Sequence, residues 1–278
     1  MEEQYQVDKE QVRDAFSRAA AAYEQVAVLQ REVETRSLER LDLVRLQPQC
    51  ILDLGCGPGH GSHGLLAKYR QASVIAFDLA EPMLKLARKR GRWLRRPQAV
   101  CGDAQQLPFA SNSMDLVFSS LMLQWCRDFD ATLSELLRVL RPGGLLLFTT
   151  FGPDTLKELR SSWASIDDYT HVNAFLDMHD IGDALMRNGF AEPVMDVERL
   201  TMTYDDVFTL MRELKQIGAH NVTAGRRQGL TGKQRLQQLQ KAYEAFRVDG
   251  LLPASYEIVN GHAWAPDNQL RVDLEMPR

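Results

Sequence analysis

The stretch ILDLGCGPGHG, residues 51–61, decides how this chain folds. An apolar run, Ile51 to Leu54, enters a loop with glycine at 55, 57, 59 and 61. Glycine tolerates positive φ and carries no Cβ, so the backbone can approach a ligand closely. A buried strand, a glycine turn and then GSHGLLAKYR, which is amphipathic, open a βαβ unit. In a sheet of such units, ligands bind beyond the carboxyl ends of the strands. Position alone makes the loop a candidate binding site.

The alternation continues downstream. ASVIAFDLA, QAVCGDA, MDLVFSSLML and GGLLLFTT read as strands. EPMLKLARKRG begins with Glu-Pro and ends at Gly91, as a helix should. FDATLSELLRVLRPGG reads as a helix stopped by Pro142 and Gly143. The expectation is an α/β fold with a mainly parallel sheet. Residues 9 to 44 contain neither Gly nor Pro and read as helical. VMDVERLTMTY and ASYEIVNGHAWA read as late strands, with a mostly helical insertion over 205–250 between them. The expected organisation is an N-terminal helical part (1–44), a core (45–204 and 251–266), the insertion as a substrate cap, and a polar tail (267–278).

The loop is not of the dinucleotide type. A literal GxGxxG runs from Gly59 to Gly64, several residues too late after the strand. Anchored at Gly55 and Gly57, the third glycine would fall at His60. No GK[ST] comes after the loop, so it is not a P-loop either. Asp53, near the end of the strand, would repel a pyrophosphate but suit an ammonium. S-adenosyl-L-methionine carries an ammonium, a sulfonium and no phosphate, and its carboxylate suits the free N–H groups at a helix start.

The segment LDLGCGPG resembles motif I of the class I S-adenosylmethionine-dependent methyltransferases. Asp78 in VIAFDLAEPML, Asp103 in CGDAQQLPF, FSSLML and LRPGGLLLFTT come next in that family's order, over residues 50–151. The resemblance implies a Rossmann-like sheet with a late antiparallel strand. It implies cofactor contacts at Asp53, Gly55, Cys56, Gly57, Gly59, Asp78, Leu79, Met83, Asp103, Ala104 and Ser119. Asp78 would take the ribose hydroxyls, Leu79 and Met83 would sandwich the adenine, and Asp103 would face its amino group.

Motif I is silent about the acceptor. FSRAAAAYEQVAVLQREV, TTFGPDTLKEL, GAHNVTAGRRQGLTGKQRL and SYEIVNGHAW are more telling. They resemble the malonyl-[acyl-carrier protein] O-methyltransferases of biotin synthesis, across nearly the whole chain. That resemblance implies methylation of the free carboxylate of a malonyl thioester, on a carrier protein or on coenzyme A, under an N-terminal helical lid. A carboxylate with a reference pKa of about 4 is already a nucleophile, so no general base is expected. Tyr23 is the first choice to orient it, then Gln124, Trp125, Thr150 and Phe151. Arg226 and Arg227 in the insertion, with Lys233 and Arg235, or the segment from Lys85 to Arg96, would meet an acidic carrier. The competing readings are a methyltransferase for another small or lipid acceptor, such as a quinone precursor, and a non-catalytic cofactor-binding module.

The bulk numbers exclude other classes. A formal charge of −4 over 278 residues gives no field that would attract nucleic acid or a membrane surface. No apolar run reaches the roughly 20 residues of a bilayer span. MEEQYQVDKEQ lacks the apolar core of a secretory signal, so a cytoplasmic protein is expected. Cys50, Cys56, Cys101 and Cys126 form no CxxC pair and read as reduced, buried thiols, with no metal site.

Overall fold

The computed structural model describes residues 8–90, 95–219 and 232–267. Two helices, α1 (Lys9–Val26) and α2 (Val28–Arg40), precede the sheet. Then come β1 (Cys50–Leu54), α3 (His60–Lys68), β2 (Ser73–Asp78), α4 (Glu81–Lys89), β3 (Gln98–Cys101) and β4 (Met114–Ser120). They lead to α5 (Phe129–Val139), β5 (Leu140–Phe151), α6 (Lys157–Ala164), α7 (Met178–Arg187) and β6 (Ala191–Tyr204). The last elements are α8 (Val207–Gln216), α9 (Lys233–Tyr243) and β7 (Leu252–Trp264).

Among the described residues the sheet has seven strands in the order β3-β2-β1-β4-β5-β7-β6. β1 pairs parallel with β2 and β4, placing Leu52 opposite Ile75 and Val117. β7 lies antiparallel between β5 and β6. The strand order reverses between β1 and β4, so a crevice opens at their carboxyl ends.

Residues 51–54 are fully buried because helices cover both faces. Leu52, Leu54, Val117 and Phe148 pack with Leu133, Leu136, Ile181 and Leu185 on one face. Ile51, Leu116, Phe118 and Leu147 pack with Leu41, Leu65 and Leu66 on the other. A third cluster sits at the carboxyl end of the sheet. There α2 (Leu29, Val33), α6 (Trp163), α8 (Val207, Leu210) and α9 (Leu239, Tyr243) meet Leu121 and Phe151.

Four local expectations change. The helical stretch expected over 9–44 breaks at Ala27 (φ −78°, ψ 51°), which is buried and donates its N–H to Tyr23 O. The break has no Gly or Pro behind it. It lets α1 lie against α4 and α8 while α2 packs on α3. Pro142 does not stop α5, which ends at Val139. β5 begins at Leu140, and the register shift between Met114 and Leu116 leaves residues 141–144 bulged. A bulge accommodates a residue without N–H and Gly143 at φ +74°. The strand expected over MDLVFSSLML leaves the sheet after Ser120, at Leu121 with φ +50°. Finally, Cys101 is exposed rather than buried, because β3 is the edge strand.

Candidate active site

The glycine loop is set by its neighbours. The Gly55 and Cys56 N–H groups donate to Phe77 O at 2.8 and 3.0 Å, tying the loop to β2. Gly55, Gly57 and Gly59 have φ of +75°, +49° and +88°. A Cβ on Gly59 would stand 2.6 Å from Ala87 Cβ, so the glycine lets the loop pack against α4. A Cβ on Gly57 would meet nothing within 4 Å, because that side faces a cavity.

The cavity occupies the crevice and, with its open mouth, encloses about 950 Å³. Asp78, Leu79, Met83, Asp103 and Ala104 line one wall, with Gly55 and Gly57 at its foot. The Asp78 carboxylate accepts the N–H groups of Gly57 at 2.9 Å and Ala80 at 2.8 Å. Asp103 accepts the Gln105 N–H at 3.0 Å and pairs with Lys9 of α1.

Tyr23, Ser120, Leu121, Met122, Gln124, Trp125 and Phe151 line the rest. Gln124 is held firmly: its Nε2 donates to Leu121 O at 2.7 Å and its Oε1 accepts the Thr150 hydroxyl at 3.1 Å. Trp125 meets Phe16 of α1 edge-on, with centroids 5.3 Å apart. Phe151 packs against Phe175 and Tyr256.

Several expected residues stand elsewhere. Ser119 is buried and donates to Leu54 O at 3.1 Å; its neighbour Ser120 faces the cavity. Thr150 reaches the cavity only through Gln124. Asp53 is buried and accepts the Ser62 hydroxyl at 2.5 Å, away from the cavity lining. Gly59 lies under α4, and Cys56 lines a smaller adjoining chamber. Arg226 and Arg227 lie outside the described residues. Of the basic segment Lys85–Arg96, Lys85 pairs with Glu81, Arg90 with Glu24, and Arg95 donates to Leu66 O at 2.9 Å. Arg235 pairs with Asp167.

The sequence pattern does not single out other lining residues: Lys9, Phe16 and Gln30 in the large cavity, Arg31 and Glu34 in the small one. Tyr23, Ala27, Gln30, Arg31 and Glu34 recur three or four residues apart, one face of a helical pair, which is the available signal.

Buried acids gather at and beneath the floor. Burial pushes the Asp78 carboxyl up to about 6 and Asp53 to about 7. Burial, then the neighbouring Asp53, pushes Glu34 up to about 8. Burial, Glu34 and Asp78 raise Tyr23, keeping its hydroxyl protonated. None of these carboxylates forms an ion pair among the described residues. Leu79 and Met83 add apolar sides that suit a flat base. Acidic groups without ion pairs, an apolar slot and a loop without Cβ groups fit S-adenosyl-L-methionine, which joins an amino acid through a sulfonium to an adenine nucleoside.

Comparison with known proteins agrees. Residues 52–148 match the family described as "Methyltransferase domain". A malonyl-[acyl-carrier protein] O-methyltransferase of Laribacter hongkongensis is 54% identical over 99% of this chain and 95% of its own length. The enzyme of that name from Methylovorus sp. is 53% identical over 97% of this chain and 93% of its own. A Haemonchus contortus phosphoethanolamine N-methyltransferase, solved with S-adenosyl-L-methionine, shares the fold (TM-score 0.52, 24% identity, 84% of this chain, 52% of that one). With its sheet, its glycine loop and this full-length likeness, the chain belongs to the malonyl-[acyl-carrier protein] O-methyltransferase family.

Proposed function

We propose that this chain methylates the free carboxylate of a malonyl thioester carried on an acyl-carrier protein, with S-adenosyl-L-methionine as donor. The observation that carries the reading is the likeness to its relatives along the whole chain, flanks included, since the methyltransferase domain alone does not choose an acceptor. When bound, the donor supplies a methyl group already activated by its sulfonium.

The protein's part is to align and to exclude water. Asp78 and Asp103 hold the nucleoside end, and Leu79 and Met83 flank the base. The acceptor carboxylate arrives ionised, so no proton has to be removed from it. The Tyr23 hydroxyl, held protonated, donates to that carboxylate, and the Gln124–Thr150 pair fixes the adjacent wall. The α1 helix closes the mouth through Phe16 on Trp125 and Lys9 on Asp103. Of the described part of the insertion, Ile217 and Ala219 border the cavity on the acceptor side.

Incubation with S-adenosyl-L-methionine and malonyl-carrier protein, read by intact mass, tests this. The carrier should gain one methylene unit, and an esterase should remove it. An unchanged carrier, alongside a methylated quinone precursor, would overturn the acceptor assignment. Tyr23→Phe should lower turnover of the malonyl acceptor about 10- to 100-fold, the worth of a hydrogen bond to a charged group. Steady-state kinetics check this, and unchanged turnover removes Tyr23 from the role.

A further inference from the structure

β4 ends at Ser120, and the chain turns at Leu121 with φ +50°. That backbone region is uncommon for a residue with a Cβ and persists only where its surroundings hold it. Here the hold comes from β5. The Leu121 N–H donates to Thr149 O at 3.0 Å and to Thr149 Oγ1 at 3.1 Å. The turn leaves Leu121 O facing Gln124 Nε2, which donates to it at 2.7 Å. The Thr150 hydroxyl donates to Gln124 Oε1 at 3.1 Å. A carbonyl oxygen can only accept, so the amide nitrogen has to face Leu121 and the amide oxygen Thr150. Both ends of the amide are fixed. One of its two N–H groups remains without a partner among the described residues, on a side chain that lines the main cavity.

We infer that this second N–H of Gln124 donates to the carboxylate of the acceptor, and that Thr150 is a positioning residue that aims it without touching the substrate. This rests on the proposed methylation of a malonyl thioester and names the group that holds the acceptor opposite Tyr23. Thr150 is itself buried and fixed by the ladder, where it stands opposite Val259 of β7. Without its hydroxyl the amide keeps one anchor and can rotate about its last torsion, so the free N–H is aimed only part of the time.

Neutral donors suit this reaction. As the bond from acceptor oxygen to methyl carbon forms and the carbon–sulfur bond breaks, the negative charge of the carboxylate and the positive charge of the sulfonium cancel, and no proton moves. A fixed cation would hold the charged acceptor more tightly than a transition state in which that charge is fading, and so would slow the transfer. An amide N–H and a phenol O–H orient the carboxylate and give up less as its charge is lost. The wall agrees: among the described residues that line the main cavity, Lys9 is the one cation, and it is paired with Asp103.

Steady-state kinetics with malonyl-carrier protein, beside calorimetric titration of S-adenosylhomocysteine, tests the pair. Gln124→Met should lower kcat/KM for the malonyl acceptor about 10- to 100-fold, the worth of a hydrogen bond to a charged group, and keep S-adenosylhomocysteine affinity within a few-fold of wild type. Gln124→Glu should lose at least about 100-fold near pH 8, because an anion then faces the acceptor, and should recover in part at lower pH, where a protonated carboxyl donates again. Thr150→Val should lose roughly 5- to 10-fold, and Thr150→Ser should restore it. In the Gln124→Met background Thr150→Val should cost nothing more, because the two act through one contact. Wild-type kcat/KM in Gln124→Met would overturn the inference, as would an equal loss of S-adenosylhomocysteine binding, which would make Gln124 structural. Additive losses in the double variant would remove Thr150 from its role. A wild-type chain that binds S-adenosylhomocysteine and leaves malonyl-carrier protein unmethylated would instead overturn the acceptor reading beneath the inference.

Discussion

Asp78→Ala is expected to weaken S-adenosylhomocysteine binding about 100-fold, since charge-assisted hydrogen bonds to two ribose hydroxyls are worth on the order of 3 kcal/mol together. The carboxylate ends β2 at the crevice and lines the cavity. It already accepts two backbone N–H groups, from Gly57 and Ala80, which aim its remaining lone pairs. The substitution therefore removes a positioned acceptor and loosens the turn that positions it. The pH dependence carries a sign. Burial raises the folded-state value to about 6, so the anionic form is present at neutral pH and is lost as pH falls through 6. Wild-type affinity should fall below that point, while Asp78→Ala should lose that part of the dependence. Calorimetric titration from neutral pH downward checks both statements. Binding by the variant within a few-fold of wild type would exclude Asp78 as the ribose acceptor.

The fold is legible where local pattern and global packing agree. Residues 51–54 form an apolar run with one carboxylate because β1 is covered on both faces, and the glycine loop marks its end. Asp53 reads as facing the ligand by its place in the motif, yet strand alternation argues otherwise. Leu52 and Leu54 point to one face, so Asp53 shares the other with Ile51, towards Ser62. The break at Ala27 is not legible, because it is imposed by where α1 and α2 dock and leaves no Gly or Pro in the sequence. Glu34 and Arg31 escape notice for a related reason. VLQREVETRSLER offers Glu32, Glu34, Arg31 and Arg36 in near-equivalent settings, and only docking against α3 decides which face inward. The Gln124–Thr150 bond joins residues 26 apart and depends on the turn at Leu121, which carries a conformation that leucine rarely adopts.

The two glycines of the loop should separate stability from binding. Gly55→Ala places a Cβ 2.2 Å from Met122 Cγ and 2.5 Å from Met122 Cβ, at φ +75°. The overlap is with the root of the methionine side chain, so the Met122 backbone has to move. Left-handed strain and overpacking add to a cost of about 2–4 kcal/mol, lowering Tm by roughly 5–10 °C in a domain of this size. Met122 lines the cavity, so donor affinity falls as well. Gly57→Ala is different. Its φ of +49° lies in the small left-handed well, and its Cβ meets no protein atom within 4 Å. Only the conformational cost of about 1 kcal/mol applies, and Tm should move by a few degrees at most. The new methyl group stands in the space assigned to the donor, where both cavities share a wall. Gly57→Ala should therefore bind S-adenosylhomocysteine at least about 10-fold more weakly while melting close to wild type, the cost expected of an overpacked contact. Thermal unfolding with and without ligand checks the pair. The ligand-induced rise in Tm should shrink in both variants, and the ligand-free Tm should fall markedly only in Gly55→Ala. If Gly57→Ala kept full affinity, the donor would not lie against the glycine loop, and residues 51–61 would serve the fold alone.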